Sequence, residues 1–234
     1  MNQQEINKLI QESMNKKGES LVVDGDFGPK TQAAAEKYDF SVEAVKANVV
    51  QIIDNNYFGA PWVFANIDLL GRDETDPELN ARYVPELKLE GLPDYKTLVG
   101  NRHAWCSVKV NADLRKVGVK GTNSAAASSW SKWGRKSPFW FGSVLDISHQ
   151  SGGRHVCFFL YWIDEEKGIC ATMDGNKSNK FCIAKTTLSA KADKLVTGPR
   201  WPVNQQDGLI ISMIDVLKVY PILKVGSVSN DSTR

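Results

Sequence analysis

Arg154-His-Val-Cys-Phe-Phe-Leu-Tyr-Trp162 reads as a strand, and Gly152-Gly153 immediately before it marks its start. It belongs to a series, because Phe139 to Ile147, Gly168 to Met173 and Lys180 to Ala184 are strand-like as well. Toward the amino end the pattern becomes helical. Cys106, Val110, Leu114 and Val117 fall at i, i+4, i+8 and i+11, one face of a helix that ends at Gly118. Pro61-Trp62 opens another helical pattern ending at Gly71, while residues 72–100, rich in Pro, Asp and Glu, read as irregular surface. A small-residue stretch, Asn123 to Trp130, separates the helices from the strands. Helices first and strands later define an α+β domain.

A smaller unit precedes it. Ile6, Leu9, Ile10 and Met14 recur at helical spacing before Gly18; Asp24-Gly25 makes a turn; and Gly28-Pro29 puts a proline where a second helix, through Thr31 to Tyr38, begins. Ser41 caps a third helix carrying Val42, Val45, Val49 and Ile52 or Ile53. The expected division is a small three-helix bundle over residues 1–57 and an α+β domain over 58–234, with Asn55 to Pro61 as the junction. From Val203 onward the apolar residues suggest a strand or helix docked on the second domain, and Val228 to Arg234 a frayed end.

Composition excludes several classes. With 29 basic and 27 acidic residues the net charge is +2, and no run of like charge is present, so nucleic acid is not an expected partner. The start, Met1-Asn-Gln-Gln-Glu-Ile-Asn-Lys, lacks the features of a secretory leader, and Asp215, Lys218, Pro221 and Lys224 interrupt the most apolar late stretch, so no integral membrane segment is expected. Cys106, Cys157, Cys170 and Cys182 form no C-x-x-C pair and are expected to be free thiols.

Cys106 is the first candidate for chemistry. It shares the buried face of its helix but sits in the first turn, where unsatisfied N–H groups favour a thiolate. The plain alternative is a small buried hydrophobe. A thiol nucleophile needs a base, and only His103, His149 and His155 exist. His155 is held on a strand, whereas His149 lies in a loop and His103 before the helix. Asp174 and Asn176, in Met173-Asp-Gly-Asn-Lys-Ser, are equally placed to orient an imidazole, and Asp-Gly-Asn is also an ordinary turn. Competing chemistries are weaker. His149, His155 and Cys157 lack a fourth metal ligand; Asp24 and Asp26 lack the rest of a calcium loop; and Glu74, Asp76 and Glu78 read as a solvated acidic loop rather than a glycosidase pair. No cofactor and no metal are expected.

Val23-Asp-Gly-Asp-Phe-Gly-Pro-Lys-Thr-Gln-Ala-Ala closely resembles the core motif of the helical peptidoglycan-binding domain. About residues 60–202 resemble the NlpC/P60 and CHAP group of papain-like amidohydrolases, in the form common in bacteriophage endolysins. That second resemblance rests on Pro61-Trp62, Ala104-Trp-Cys106, the stretch Gly121 to Gly134, Arg154-His-Val, Gly175-Asn176 and Arg200-Trp-Pro. It implies a papain-like domain with an antiparallel sheet. It makes Cys106 the nucleophile, His155 the general base and then acid, and Asn176 the favoured orienting group, with Asp174 as rival or fourth member. Peptidoglycan is the implied partner, met by Asp24, Phe27 and Trp105 of a monomer. The implied setting is storage in the host cytoplasm and action on the wall once the membrane is permeabilised. Arg154 stands where the family often has Gly, and Gly142-Ser143 where Gly-Asp is usual.

Overall fold

The computed structural model describes residues 8, 11, 15, 18–26, 28–37, 58–92, 94, 96–100, 105–150, 152–189 and 192–225, with 35–37 and 218–219 as backbone alone. The chain divides into two compact units, Met1–Asn56 and Tyr57–Arg234. The expected third helix of the first unit, from Ser41, lies outside the described residues, as do Phe27, His103 and the last nine residues.

In the first unit, helix α1 spans Pro29–Lys37, with the proline at its start. The loop before it is organised by a buried amide. Gln11 Nε2 donates to Asp24 Oδ1 and to the Asp26 carbonyl, both at 2.8 Å, while its Oε1 accepts from Gly25 N at 2.8 Å. Gly25 takes φ 81°, the left-handed conformation that the expected turn needs. The exposed Asp24 carboxylate, implied to meet substrate, also accepts from Asp26 N, and the Gln11 bond holds it below the usual carboxylate range.

The second unit is α+β. Its strands are β1 (Arg135–Lys136), β2 (Val144–Ser148), β3 (Arg154–Asp164), β4 (Ile169–Lys177), β5 (Lys180–Thr187), β6 (Lys194–Leu195) and β7 (Arg200–Trp201). They pair antiparallel in the order β1-β7-β2-β3-β4-β5, with β6 on β2. β4 and β5 are joined by a two-residue turn in which Ser178 (φ 52°) and Asn179 (φ 59°) are both left-handed, the geometry that matches the twist of a hairpin. Both faces of β3 are covered, which explains why its sequence is continuously apolar rather than alternating. Val156, Phe158 and Leu160 enter the main core with Val110 and Leu114 of helix α3 (Cys106–Lys116). Cys157 and Phe159 enter a second cluster with Leu145, Ile147 and Cys170.

Two helical expectations need correction. Pro61 to Gly71 forms two short 3-10 turns, Pro61–Phe64 and Ile67–Leu69, rather than one helix. Residues 72–100 are not simply irregular, because Pro77–Leu89 forms a helix, α2. Asp76 caps it by accepting from Glu78 N and Leu79 N, Pro77 occupies the first turn, and Leu79, Tyr83 and Leu87 bury one face. Pro85 inside the helix removes one backbone donor and disguises the pattern. α2 lies against α3, where the fully buried Asp113 pairs with Lys109 at 2.8 Å and accepts from Asn66 at 2.5 Å. The carboxy-terminal part supplies helix α4 (Met213–Val219), whose Val216 is buried, and Tyr161 donates to the Leu223 carbonyl at 3.0 Å. No described helix is long and apolar enough to cross a membrane.

Glu90, just past α2, is buried and neither carboxylate oxygen has a hydrogen-bond partner. Burial first, and the neighbouring Glu86 second, push its carboxyl up to about 8, against a smaller downward pull from Asn111 and Arg115. A folded-state value above the unfolded one means that stability is fully present below about pH 4.5 and is lost as pH rises toward 8. Glu90→Gln is therefore expected to stabilise the protein at pH 8 by on the order of 2 kcal/mol and to do little at pH 4.5. Thermal melts of both proteins across that range check it.

Candidate active site

α3 begins at Cys106 without a side-chain cap, because the residue before it is Trp105. The free N–H groups of that first turn therefore face the thiol's own end of the helix. β3 brings His155 to Cys106, and β4 brings Asp174 to His155: Nε2 of the imidazole lies 2.6 Å from Asp174 Oδ1. With Nε2 engaged, Nδ1 is the ring nitrogen left to face the thiol. The other oxygen of Asp174 accepts from Thr172 Oγ1 at 2.6 Å. Thr172 in turn meets Thr186 at 2.8 Å, and Lys177 Nζ donates to Thr186 Oγ1 at 3.1 Å. Cys106 is 1% exposed, His155 8% and Asp174 0%.

The electrostatics follow from that burial and its compensation. Burial alone would raise the Cys106 thiol; the hydrogen bond and charge of His155, with the N–H groups of Val156 and Ser107, outweigh it and hold the thiol below its ordinary value. Burial alone would strip His155 of its proton, but hydrogen bonds to Asp174 and Cys106 hold it well above the usual histidine range. Asp174, which burial would push up, is kept down by the charge of Lys177 and by hydrogen bonds from His155 and Thr172. The other three thiols lack this compensation. Burial pushes Cys157 well up and takes Cys170 and Cys182 to about 12. All four cysteines are free and buried.

The structure thus brings Cys106, His155 and Asp174 together and leaves Asn176 out. Asn176, the orienting group favoured by resemblance, stands at a register shift between Asp174 and Lys177, with φ 62°. In a regular strand residues 174 and 176 would share a face; the bulge re-aims the second, whose Oδ1 is buried with no partner among the described residues. Trp105 also departs from its implied role. Its ring is 1% exposed and stacks on Tyr83 at 6.0 Å, so it packs beneath the site instead of offering a surface to substrate. Gly175 is required beside it, since a Cβ there would come within 2.9 Å of the Trp105 ring and 2.7 Å of Lys109 Cβ.

Neighbouring residues position the same elements. His149 Nδ1 lies 2.9 Å from Asp193, and its ring centroid lies 5.8 Å from that of His155, at the rim of the site. Arg154, present where the resembled family often has Gly, donates from Nε to the buried Asp146 at 2.9 Å and from NH2 to Ser131 at 3.1 Å, anchoring the start of β3. Ser107 and Asn111 of α3 both bond the Ser124 carbonyl, so the small-residue stretch is tied along the helix. Thr172, Thr186 and Lys177 escaped the sequence reading, because only strand pairing brings them behind Asp174.

The rival chemistries are not assembled as expected: of the candidate metal ligands His155 and Cys157 come together, but with Asp174 in place of His149. The acidic stretch is not a solvated loop: Glu74 is buried, Asp76 caps a helix, and Asp76 and Glu78 both pair with Arg72, at 3.0 and 2.8 Å, which leaves those two engaged as an ion-pair cluster rather than a glycosidase pair. His149 is engaged with Asp193 rather than with Cys157. Two surface cavities, of about 490 Å³ beside Lys120, Trp133 and Asn204 and about 330 Å³ beside Arg82 and Arg115, contain none of the three clustered residues. No protein-family model matches the chain, and neither does any curated protein or solved structure.

Proposed function

We propose that the chain is a peptidoglycan hydrolase of the bacteriophage endolysin kind, whose papain-like second unit cleaves an amide bond with Cys106 as nucleophile. The observation that carries this reading is the arrangement of a helix-start thiol, a strand-borne imidazole and a buried carboxylate, in that order. The Cys106 thiolate attacks a stem-peptide carbonyl, and the backbone N–H of Cys106 is the natural donor to the oxyanion. His155 hands its proton to the leaving amine, then takes one from the water that hydrolyses the acyl-enzyme. Asp174 fixes the ring and stabilises the imidazolium. The wall as substrate is supported by the Val23 to Ala34 motif of the first unit. Synthesis in the host cytoplasm, followed by action on the wall after the membrane is breached, belongs to the same proposal.

Mass spectrometry of the fragments released from purified peptidoglycan tests it. Free stem peptides with intact glycan identify an amidase acting between muramic acid and L-alanine, and stems cut internally or at the cross-link an endopeptidase. Release of neither, or cleavage of the glycan itself, contradicts the proposal. A second reading, a wall-binding virion component that keeps the fold without turnover, is favoured by one observation, the 1% exposure of Cys106.

A further inference from the structure

Cys157 is a nucleophile-type side chain that the proposed reaction does not use, and it lies behind the reacting groups. It is paired across the sheet with Asp174 and separated by one residue from His155 on β3. One ligand atom from each of His155, Cys157 and Asp174 lies within 4.8 Å of the others, and this is the one such group among the described residues. We propose that these three side chains form an inhibitory zinc site in which Cys157 supplies the thiolate.

The donor set is the kind zinc takes when three protein ligands leave the fourth tetrahedral position to a water: one imidazole nitrogen, one thiolate and one carboxylate oxygen. At ligand distances of about 2.0 to 2.3 Å, a tetrahedral ion keeps its ligand atoms roughly 3.3 to 3.8 Å apart. The three atoms lie within 4.8 Å of one another, so small side-chain shifts bring them to that spread, among them an opening of the 2.6 Å contact between His155 Nε2 and Asp174 by under an ångström. Charge also balances. Zn²⁺ with one thiolate and one carboxylate is formally neutral in its own ligand set, which suits nearly or fully buried groups, with the charge of Lys177 acting on Asp174 and Cys157 from beside it. Binding replaces the proton between His155 and Asp174 and the thiol proton of Cys157, and both protons pass to solvent. The ion would take from His155 the partner that holds it toward Cys106, so occupancy would silence the thiolate; that consequence rests on the amidohydrolase reading, whereas binding itself does not.

The test is a titration of the full chain with zinc chloride in competition with a chromophoric chelator, a readout that needs no turnover. The wild type and Cys106→Ala are expected to bind one equivalent alike, and Cys157→Ala to bind roughly tenfold more weakly or worse. Cys170→Ala, which removes another buried thiol, is expected to match the wild type. Thermal melts establish that the variants are folded, and Cys157→Ser replaces Cys157→Ala should the latter not fold. Undiminished binding by the Cys157 variant overturns the site, as does absence of binding by the wild type. Loss in Cys106→Ala with retention in Cys157→Ala would place the ion on the Cys106–His155 pair instead. If the wild type hydrolyses peptidoglycan, zinc inhibition reversed by a chelator is expected, and Cys157→Ala is expected to keep its activity in zinc.

Discussion

Cys106→Ala is expected to lower the rate of fragment release from purified peptidoglycan by about a millionfold, to the background of the assay. The size of the effect follows from the kind of group removed. Imidazole and carboxylate tune a nucleophile, but without the sulfur there is no covalent intermediate for them to serve. The fold should hardly notice: the side chain is small, and the rest of the core around it, Val110 and Val156 among others, is unchanged. Initial rates of release, measured beside thermal melts of both proteins, separate loss of chemistry from loss of structure. A variant with wild-type melting and wild-type release would remove Cys106 from the mechanism.

The next largest effect is expected at Asp174. Asp174→Asn keeps the shape but replaces a carboxylate that accepts at 2.6 Å from both His155 and Thr172 with an amide that can offer a hydrogen to either. The imidazole loses the charge that holds its proton and the acceptor that fixes its tautomer, and a fall of about a thousandfold to ten-thousandfold is expected. The pH dependence supplies a signature that misfolding would not. His155 is held above the usual histidine range partly by its hydrogen bond to Asp174. The thiolate–imidazolium pair exists from the lowered value of Cys106 up to the raised value of His155. Removing the carboxylate's charge lowers the upper bound, so the alkaline limb of the Cys106 alkylation profile should move to lower pH. An unmoved limb would mean that Asp174 does not act through His155.

Some of this site is legible in the sequence. A cysteine in the first turn of a helix and a histidine on a strand after a Gly-Gly step are local features, and local features survive in sequence. The choice between Asp174 and Asn176 was not local. It turns on a bulge that puts Asn176 at φ 62°, and nothing in Asp-Gly-Asn distinguishes that bulge from a turn. Helix α2 was hidden for the opposite reason: Asp76-Pro77 is a start signal, but it is buried in a stretch whose acids and prolines, Pro85 above all, read as loop. The support of Asp174 by Thr172, Thr186 and Lys177 depends on the register of β4 on β5. That register is set by the two left-handed residues of the turn between them.

The central claim is that Cys106 is an activated nucleophile and not a small buried hydrophobe. Competitive labelling of the four thiols of the native protein with iodoacetamide at pH 6, read by peptide mass spectrometry, tests it most directly. Cys106, whose thiol is lowered by His155, is expected to label first and by more than about tenfold over Cys157, Cys170 and Cys182, whose thiols are raised. Equal, slow labelling of all four would contradict the claim and leave the binding-only reading in its place.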